Sequence, residues 1–142
     1  MAQQHIVVAD PAAKQRRRMS ALVNRAASEL STTIEVHEVE DGLEAHRLIE
    51  THHPALVLGE ILLPRLSGLQ LIRRLRESWQ EDTLPRFIFV TSMGRESDRY
   101  WALRNGAHAY VIKPYEDEVL FARIRQVLAT GDSATPEKLG PI

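Results

Sequence analysis

One stretch decides the fold of this chain: Asn-Gly-Ala-His-Ala-Tyr-Val-Ile-Lys-Pro-Tyr at residues 105–115. Gly106 follows a segment of helical period and is a typical helix stop. Residues 109–112 form a short run that is apolar on both faces, which is typical of a strand lying between two layers of helices. Lys113-Pro114 then ends the run with a charge and a turn residue. The stretch therefore predicts the end of a helix, a buried strand and a turn.

The same pattern recurs towards the N-terminus. Runs that are apolar on both faces lie at residues 6–9, 55–58 and 87–90. Residues 34–39 differ, because Ile34 and Val36 alternate with polar side chains, as in an edge strand with one wet side. Segments with apolar residues at helical spacing lie at 11–30, 42–51, 68–79, 95–105 and 116–129, and we expect Asp10 to cap the first of them. This alternation predicts an α/β fold, a doubly wound parallel sheet with helices on both faces.

Composition narrows the class of protein further. The chain has 142 residues, 44% hydrophobic and 26% charged, which suits one domain with a core. Its 18 Lys and Arg against 19 Asp and Glu give a net charge of −1, so no global basic field points to nucleic acid. It has no Cys, which excludes disulfides and thiolate nucleophiles. With neither a signal peptide nor a spanning segment visible, we expect a cytoplasmic domain at 1–130 and a flexible tail or linker at 131–142.

Polar side chains follow four of the predicted strands at their carboxyl ends. They are Asp10, Glu60, Thr91 with Ser92, and Lys113. In a doubly wound sheet, ligands bind in the crevice outside these strand ends. Two carboxylates, hydroxyls and an ammonium can together hold a divalent cation and a phosphoryl group. The sequence thus predicts a cation and phosphate crevice at this edge.

Over about residues 5–130, the chain resembles a response-regulator receiver domain of two-component signalling. The motifs that carry the resemblance are residues 6–10, Asp41-Gly42, Leu63-Pro64 with Gly68-Leu69, Val90-Thr91-Ser92, and residues 105–115 with Ala122-Arg123-Ile124-Arg125. The resemblance implies a flavodoxin-like (βα)5 fold with five parallel strands in the order 2-1-3-4-5 and a commonly cis Lys113-Pro114 peptide. It also implies that Thr91 and Tyr110 are switch residues, with Ser92 and Lys113 in the phosphate pocket.

Two positions depart from the family pattern. The acidic pair that usually follows the first strand is Ala9 and Asp10 here, and the position of the phosphoryl-accepting aspartate holds Glu60. The resemblance implies Mg²⁺ bound by Asp10, Glu60 and the Leu62 carbonyl, a site that the missing acid and the longer Glu60 leave weak or absent. We expect a Glu60–Lys113 pair to imitate part of the phosphorylated state. We therefore predict a phosphorylation-independent receiver that acts as a protein-interaction module, without catalytic output.

The usual output surface of the family lies on the fourth helix, fifth strand and fifth helix. We expect a sensor kinase, phosphotransfer protein or output protein to bind there through Trp101, Tyr110, Arg99 and Arg104. Trp101 stands where a charge is usual in the receivers that dimerise by ion pairs, which favours an aromatic-anchored contact with another partner. A homodimer through this face stays open. The domain itself is expected to bind neither membrane nor nucleic acid.

Several alternatives remain open on the sequence. One is a response regulator that accepts phosphate weakly with Mg²⁺, and another is the receiver half of a DNA-binding transcription regulator. A metal-dependent phosphatase or phosphotransferase would use Asp10 and Glu60 but lacks a second acid near Asp10. A flavodoxin-like cofactor binder lacks a phosphate loop after the first strand.

Two further features receive structural interpretations. The basic run Arg16-Arg17-Arg18 splays around a helix instead of forming a stripe, and we expect a solvated face there. The six histidines show no metal-ligand spacing, and His52-His53 is interpreted as a pair of cations favourable to the end of a helix.

Overall fold

The computed structural model describes residues 3–80 and 83–130, and within them strands and helices alternate. The strands are β1 (Gln4–Ala9), β2 (Ile34–Val39), β3 (Leu56–Gly59), β4 (Arg86–Thr91) and β5 (Ala109–Ile112). The helices are α1 (Ala13–Glu29), α2 (Gly42–His52), α3 (Gly68–Ser78), α4 (Glu96–Arg104) and α5 (Asp117–Thr130). The predicted tail, residues 131–142, lies outside the described residues. None of the described helices is long and apolar enough to cross a bilayer.

The strands form one parallel sheet in the order β2-β1-β3-β4-β5. At its carboxyl edge, Ala9 pairs with both Val39 and Gly59, and Thr91 pairs with Ile112. The predicted α/β fold and strand order are confirmed, and the Lys113-Pro114 peptide is cis as expected. Because the strand ends are in register, the polar residues that follow them meet at one edge of the sheet.

Two hydrophobic cores cover the two faces of the sheet. The core under α2, α3 and α4 includes Phe87 and Phe89, whose ring centroids lie 5.8 Å apart. The core under α1 and α5 includes the fully buried Met19 and Leu120. Alternate residues of the inner strands enter opposite cores, which is why these runs are apolar throughout.

The predicted ends of the elements differ from the observed ones by a few residues at most. β1 begins at Gln4, ahead of its apolar run, because Gln4 already pairs with Ile34 of β2. The prediction that Asp10 caps α1 is wrong, since the N-cap is Ala12, which makes no side-chain cap. The Asp10 carboxylate instead accepts hydrogen bonds from the Ala12 N–H (2.8 Å) and from Lys113. The Asp10 side chain therefore lies in the crevice, bonded to Lys113, and is not the N-cap of α1.

Gly42, the first residue of α2, lies against the loop that follows β3. Its N–H donates to the Pro64 carbonyl at 3.0 Å, and a Cβ at this position would lie 1.8 Å from the Leu66 carbonyl oxygen. Backbone cannot move aside as a flexible side chain can. Gly42→Ala should therefore lower the free energy of unfolding by about 1–3 kcal/mol, as overpacking does, and urea unfolding followed by circular dichroism measures the loss.

Gly59→Ala is the matched control for this substitution. Gly59 is also buried, at the end of β3, but a Cβ there would meet nothing within 4 Å. Its replacement should change the free energy of unfolding by less than about 1 kcal/mol. Equal losses in the two variants would contradict the expectation that a Cβ at Gly42 clashes with the Leu66 carbonyl.

Candidate functional site

The carboxyl edge of the sheet gathers the residues that follow β1, β3, β4 and β5. The Glu60 N–H donates to the Ala9 carbonyl at 2.9 Å, and the Lys113 N–H donates to the Thr91 carbonyl at 2.8 Å. These backbone bonds extend the parallel ladder by one residue past the strands. They set the directions in which the Asp10, Glu60 and Lys113 side chains leave the sheet.

The Lys113 ammonium bridges the two acids. Its Nζ lies 2.7 Å from Asp10 Oδ2 and 3.0 Å from Glu60 Oε1. Asp10 is 1% exposed and Glu60 5%, so both charges are held away from bulk water. Burial opposes the charged form of Lys113, but its hydrogen bonds with Asp10 and Glu60 outweigh burial and raise the pKa of this amine. The result is a compact buried triad with a net charge of −1 when all three groups are ionised.

The remaining oxygens of the two acids are also occupied. Asp10 Oδ1 accepts from the Ala12 N–H at 2.8 Å, and Glu60 Oε2 accepts from the Leu62 N–H at 3.0 Å. Sequence reasoning missed a further support for Asp10: the side chain of Arg16 donates to the Asp10 carbonyl at 2.7 Å. Each carboxylate is thus fixed by two separate donors, and its orientation is set before any ligand binds.

This donor set does not fit the Mg²⁺ that the family commonly binds. Mg²⁺ needs oxygen ligands in near-octahedral geometry and binds through carboxylates that are free to face it. Here the ammonium of Lys113 lies between the two carboxylates, and the four carboxylate oxygens already accept hydrogen bonds. Ala9, which by the resemblance stands at the first position of the acidic pair, is fully buried and offers no side-chain oxygen.

The predicted switch residues both contact the segment after β4. Thr91 is fully buried, and its Oγ1 accepts from the Met93 N–H at 3.3 Å. Tyr110 is buried, and its hydroxyl donates to the Met93 carbonyl. Burial raises the pKa of the Tyr110 phenol, so the hydroxyl stays protonated and able to donate. The exposed Ser92 is not part of this contact.

The predicted partner residues divide between two surfaces. Arg99 and Tyr110 line an open groove of about 740 Å³ between α4, β5 and α5, which we call the α4-β5-α5 groove; its other lining residues include Glu96, Ile112, Val119 and Arg123. Trp101 is 51% exposed, as predicted, but neither it nor Arg104 lines this groove. Arg76 of α3 donates to the Arg104 carbonyl at 3.5 Å, which locates that end of α4 beside α3.

The basic run of α1 splays as predicted, but it is not simply a solvated face. Arg16 is 15% exposed and lies 3.6 Å from Glu38, whereas Arg18 donates to Asp117 at 2.7 Å and to the Tyr115 carbonyl at 2.8 Å. Of the three, Arg17 is exposed, whereas Arg16 and Arg18 are partly buried. Arg18 thereby ties α1 to α5, a contact across 99 residues that the sequence pattern does not reveal.

The structure also corrects the interpretation of the histidines. His5, His37 and His52 come together, and one ring nitrogen of each lies within 4.8 Å of the others. Sequence spacing does not show this, because the three residues come from β1, β2 and the end of α2. The available signal was the strand order, which makes the His-bearing strands β1 and β2 neighbours. His53 is not part of the group and stacks on Trp79, with centroids 4.7 Å apart.

Comparisons with known proteins find similar sequences and similar folds. The model of the response regulator receiver domain family matches residues 6–125. The transcriptional regulatory protein SrrA of Staphylococcus aureus is 30% identical over 109 residues, which are 77% of this chain and 44% of SrrA. This chain therefore spans less than half the length of that curated relative.

Solved structures of similar fold include a LuxR-family DNA-binding response regulator from Staphylococcus aureus. It is 26% identical with a TM-score of 0.73, and the match covers 87% of this chain and 98% of that one. The response regulatory domain of mrkE from Klebsiella pneumoniae has a TM-score of 0.75 at 16% identity, covering 91% and 98%. At that identity the second likeness speaks for the fold alone.

The family match extends from β1 into α5 and includes the strand-end residues Asp10, Glu60, Thr91 and Lys113. Members of this family are signalling modules of two-component systems and not typical enzymes. One conclusion follows from the family match over most of the sequence and from the relative at 30% identity. The strand order β2-β1-β3-β4-β5, which the resemblance implied, is consistent with it. This chain belongs to the response regulator receiver domain family.

Proposed function

We propose that this receiver works as a protein-interaction module that does not need phosphorylation. The observation that carries the proposal is the contact of the Lys113 ammonium with both Asp10 (2.7 Å) and Glu60 (3.0 Å). Glu60 occupies the position where, by the resemblance, receivers have the aspartate that accepts the phosphoryl group. Its carboxylate is already one member of a buried ion pair. The extra methylene carries the negative charge of Glu60 towards the place where a phosphoryl group would sit, opposite Lys113, so the permanent pair imitates part of the phosphorylated state.

The chemistry of phosphoryl transfer supports this proposal. Transfer needs an acceptor oxygen in line with the donor and a cation that offsets the developing charge. The extra methylene of Glu60 moves its carboxylate by roughly 1.3–1.5 Å relative to an aspartate, about one bond's projection. In-line transfer is sensitive to displacements of that size. The buried Ala9 adds no charge to attract Mg²⁺, so both departures act in the same direction.

The hydrogen bonds of Met93, in the segment after β4, support a fixed conformation of that segment. Thr91 and Tyr110 hold the N–H and the carbonyl of the same residue, Met93. Tyr110 also lines the α4-β5-α5 groove. One side chain therefore connects the crevice side of the segment to the output surface, and we propose that this surface is held ready for a partner.

The exposed surface of α4, β5 and α5 supports a protein partner. Ile112 is 44% exposed and Val119 52%, and both line the groove beside Arg99 and Arg123. An apolar floor with charged residues around it is the usual composition of a protein-binding patch. We propose that a sensor kinase, a phosphotransfer protein, an output protein or a second receiver binds here.

Two other functions remain candidates because of specific observations. SrrA is named as a transcriptional regulatory protein, and the LuxR-family relative is named as a DNA-binding response regulator. This chain covers 44% of SrrA. In the first of these candidate functions, the chain is the receiver half of a transcription regulator, and its partner is an output domain. A receiver that accepts phosphate weakly on Glu60 is the third candidate, since Asp10 and Lys113 are retained.

The first prediction concerns phosphorylation itself. The chain incubated with acetyl phosphate and Mg²⁺ should show no gain of about 80 Da, the mass that one phosphoryl group adds, in intact-protein mass spectrometry. The double variant Ala9→Asp/Glu60→Asp restores the family's acids and should acquire an adduct that depends on Mg²⁺.

The two proteins together make the experiment decisive. Far-ultraviolet circular dichroism establishes that the double variant is folded before it is treated. A stoichiometric adduct on Glu60 of the natural sequence would refute the proposal and establish the phosphorylatable receiver instead.

The second prediction concerns the ion pair. Lys113→Met leaves two buried carboxylates without their shared cation, and should lower the free energy of unfolding by about 3 kcal/mol. The double variant Glu60→Gln/Lys113→Met also removes one of the two carboxylates that would repel each other without Lys113. Its loss of unfolding free energy should be smaller than the losses of the two single variants added together. Strictly additive losses, measured by urea unfolding, would mean that the pair is not coupled.

The third prediction gives the pH dependence of the same pair. Because the pKa of Lys113 is raised in the folded state, its stabilisation is complete below the unfolded-state pKa, about 10.4. It is lost as the pH rises through the higher folded-state pKa. The stability difference between the natural chain and Lys113→Met should therefore be level from pH 8 to about 10 and shrink above it. A difference that grows with alkalinity has the wrong sign.

The fourth prediction concerns the output surface. Ile112→Ser/Val119→Ser removes the apolar part of the groove and should abolish retention of the partner in pull-downs from native lysate. Leu62→Ser is the matched control, because Leu62 is equally exposed (56%) but lies after β3. Trp101→Ala, tested in parallel, reports whether the partner also contacts this exposed side chain, which does not line the groove. Retention by the groove variant equal to that of the Leu62 control would exclude the groove as the binding face.

A further inference from the structure

We propose that His5, His37 and His52 form a binding site for a divalent transition-metal cation, with Zn²⁺ as its representative ligand. The site is separate from the phosphate crevice and does not depend on the function proposed above. His5 precedes Asp10 by five residues of extended chain, which is roughly 16 Å at about 3.3 Å per residue. The histidine site and the phosphate crevice therefore consist of different residues, with nitrogen ligands at the first and carboxylates at the second.

The strand register explains why two of these histidines meet. His5 of β1 pairs with Glu35 of β2, and Val7 of β1 pairs with His37 of β2. Paired residues of neighbouring strands point to the same face, and so do residues two apart on one strand. His5 and His37 therefore share one face of the sheet, the face on which Val7 is buried in the core under α2.

The packing of α2 brings the third histidine. Ile49 of α2 is buried in the same core as Val7, and His52 follows Ile49 by three residues. Residues three apart lie on the same side of a helix, so the last residue of α2 reaches the same face of the sheet. The chain after α2 is fixed there as well, since the Ala55 N–H donates to the His5 carbonyl at 2.8 Å.

The distances fit a metal site that needs only small side-chain rotations. His5 Nδ1 lies 3.0 Å from His37 Nε2, and the three candidate ligand nitrogens all lie within 4.8 Å of one another. Two ligands of a tetrahedral Zn²⁺ at about 2.0–2.1 Å are about 3.3–3.4 Å apart. The widest pair therefore has to close by roughly 1.5 Å at most. Rotation of a half-buried imidazole about χ2 supplies a movement of that size.

The surroundings favour a cation. Glu35 Oε2 lies 3.4 Å from His5 Nδ1 and is half exposed, so a carboxylate is at hand as a fourth ligand or as a hydrogen-bond partner of a ligating imidazole. The three imidazole rings lie against one another with centroids 4.2–5.2 Å apart, so their ring nitrogens are close together. Burial, together with the neighbouring His52, lowers the pKa of His37 and favours the neutral form that ligates metals.

The ligand types select the class of metal. Three imidazole nitrogens and a carboxylate suit Zn²⁺, Cu²⁺ or Ni²⁺, whereas Mg²⁺ and Ca²⁺ prefer oxygen ligands. The ligands come from three separate elements, so a bound metal would cross-link β1, β2 and α2. Since such a metal binds the folded chain and not the unfolded one, it should stabilise the domain.

The experiment uses the full chain without an affinity tag. Isothermal titration with Zn²⁺ should give one site per chain, and saturating Zn²⁺ should raise Tm by several degrees, whereas Mg²⁺ should do neither at this site. His37→Gln and His52→Gln should each weaken Zn²⁺ binding more than about tenfold, since even outer-shell losses cost 10–100-fold. His46→Gln is the matched control, because His46 lies on α2 outside the cluster and should bind Zn²⁺ like the natural chain.

Further readings make each outcome decisive. Co²⁺ in place of Zn²⁺ should give visible absorption typical of tetrahedral coordination in the natural chain and in Glu60→Gln, but not in His52→Gln. His52 is at the end of a helix and half exposed, so its variant keeps the test valid where His37→Gln is less stable. Zn²⁺ affinity that is unchanged in both cluster variants, or that falls equally in His46→Gln, would overturn the proposal. Loss of Zn²⁺ binding in Glu60→Gln would locate the metal in the crevice and overturn it equally.

Discussion

The crevice of this receiver is organised around one ammonium group, Lys113 Nζ, which lies between two carboxylates that are almost completely buried. Isolated charges at such a depth would be costly, and the shared cation offsets that cost only because the geometry is good and the remaining oxygens have donors. Those donors are the backbone N–H groups of Ala12 and Leu62. The start of α1, the loop after β3 and the turn after β5 are thereby held in one arrangement.

The parallel sheet makes that arrangement reproducible. Each charged side chain follows a strand whose neighbours are fixed by backbone hydrogen bonds, and the two cores lock the sheet between its helices. The close passage of Gly42 against the loop carrying Leu66 fixes the start of α2 against the loop that follows β3. A site built on rigid strand ends in this way tolerates loop variation around it but not a change in side-chain length within it. By the resemblance, Glu60 stands where other receivers have an aspartate, and the difference between the two side chains is one methylene.

The two ends of the sheet have different chemistry. The carboxyl edge offers oxygen ligands and an ammonium, whereas the group of His5, His37 and His52 offers nitrogen ligands on the α2 face of β1 and β2. Tyr110 connects the segment after β4 to the α4-β5-α5 groove, because its hydroxyl donates to the Met93 carbonyl and the residue lines the groove. This connection depends on packing and a hydrogen bond.

By itself, the sequence determined the fold class, the positions of the ten elements to within a few residues and the identities of the crevice residues. Apolar runs and strand-end charges are local properties, and local spacing reveals them. Only the tertiary structure decided the pairing of these residues: that Asp10 bonds Lys113 as well as the Ala12 N–H, that Trp101 lies off the groove, and that Arg18 reaches α5. The histidine group was hidden for the same reason, since its members are 32 and 15 positions apart along the chain. Such contacts arise from strand order and helix packing, which bring distant residues together and leave no periodic trace in the sequence.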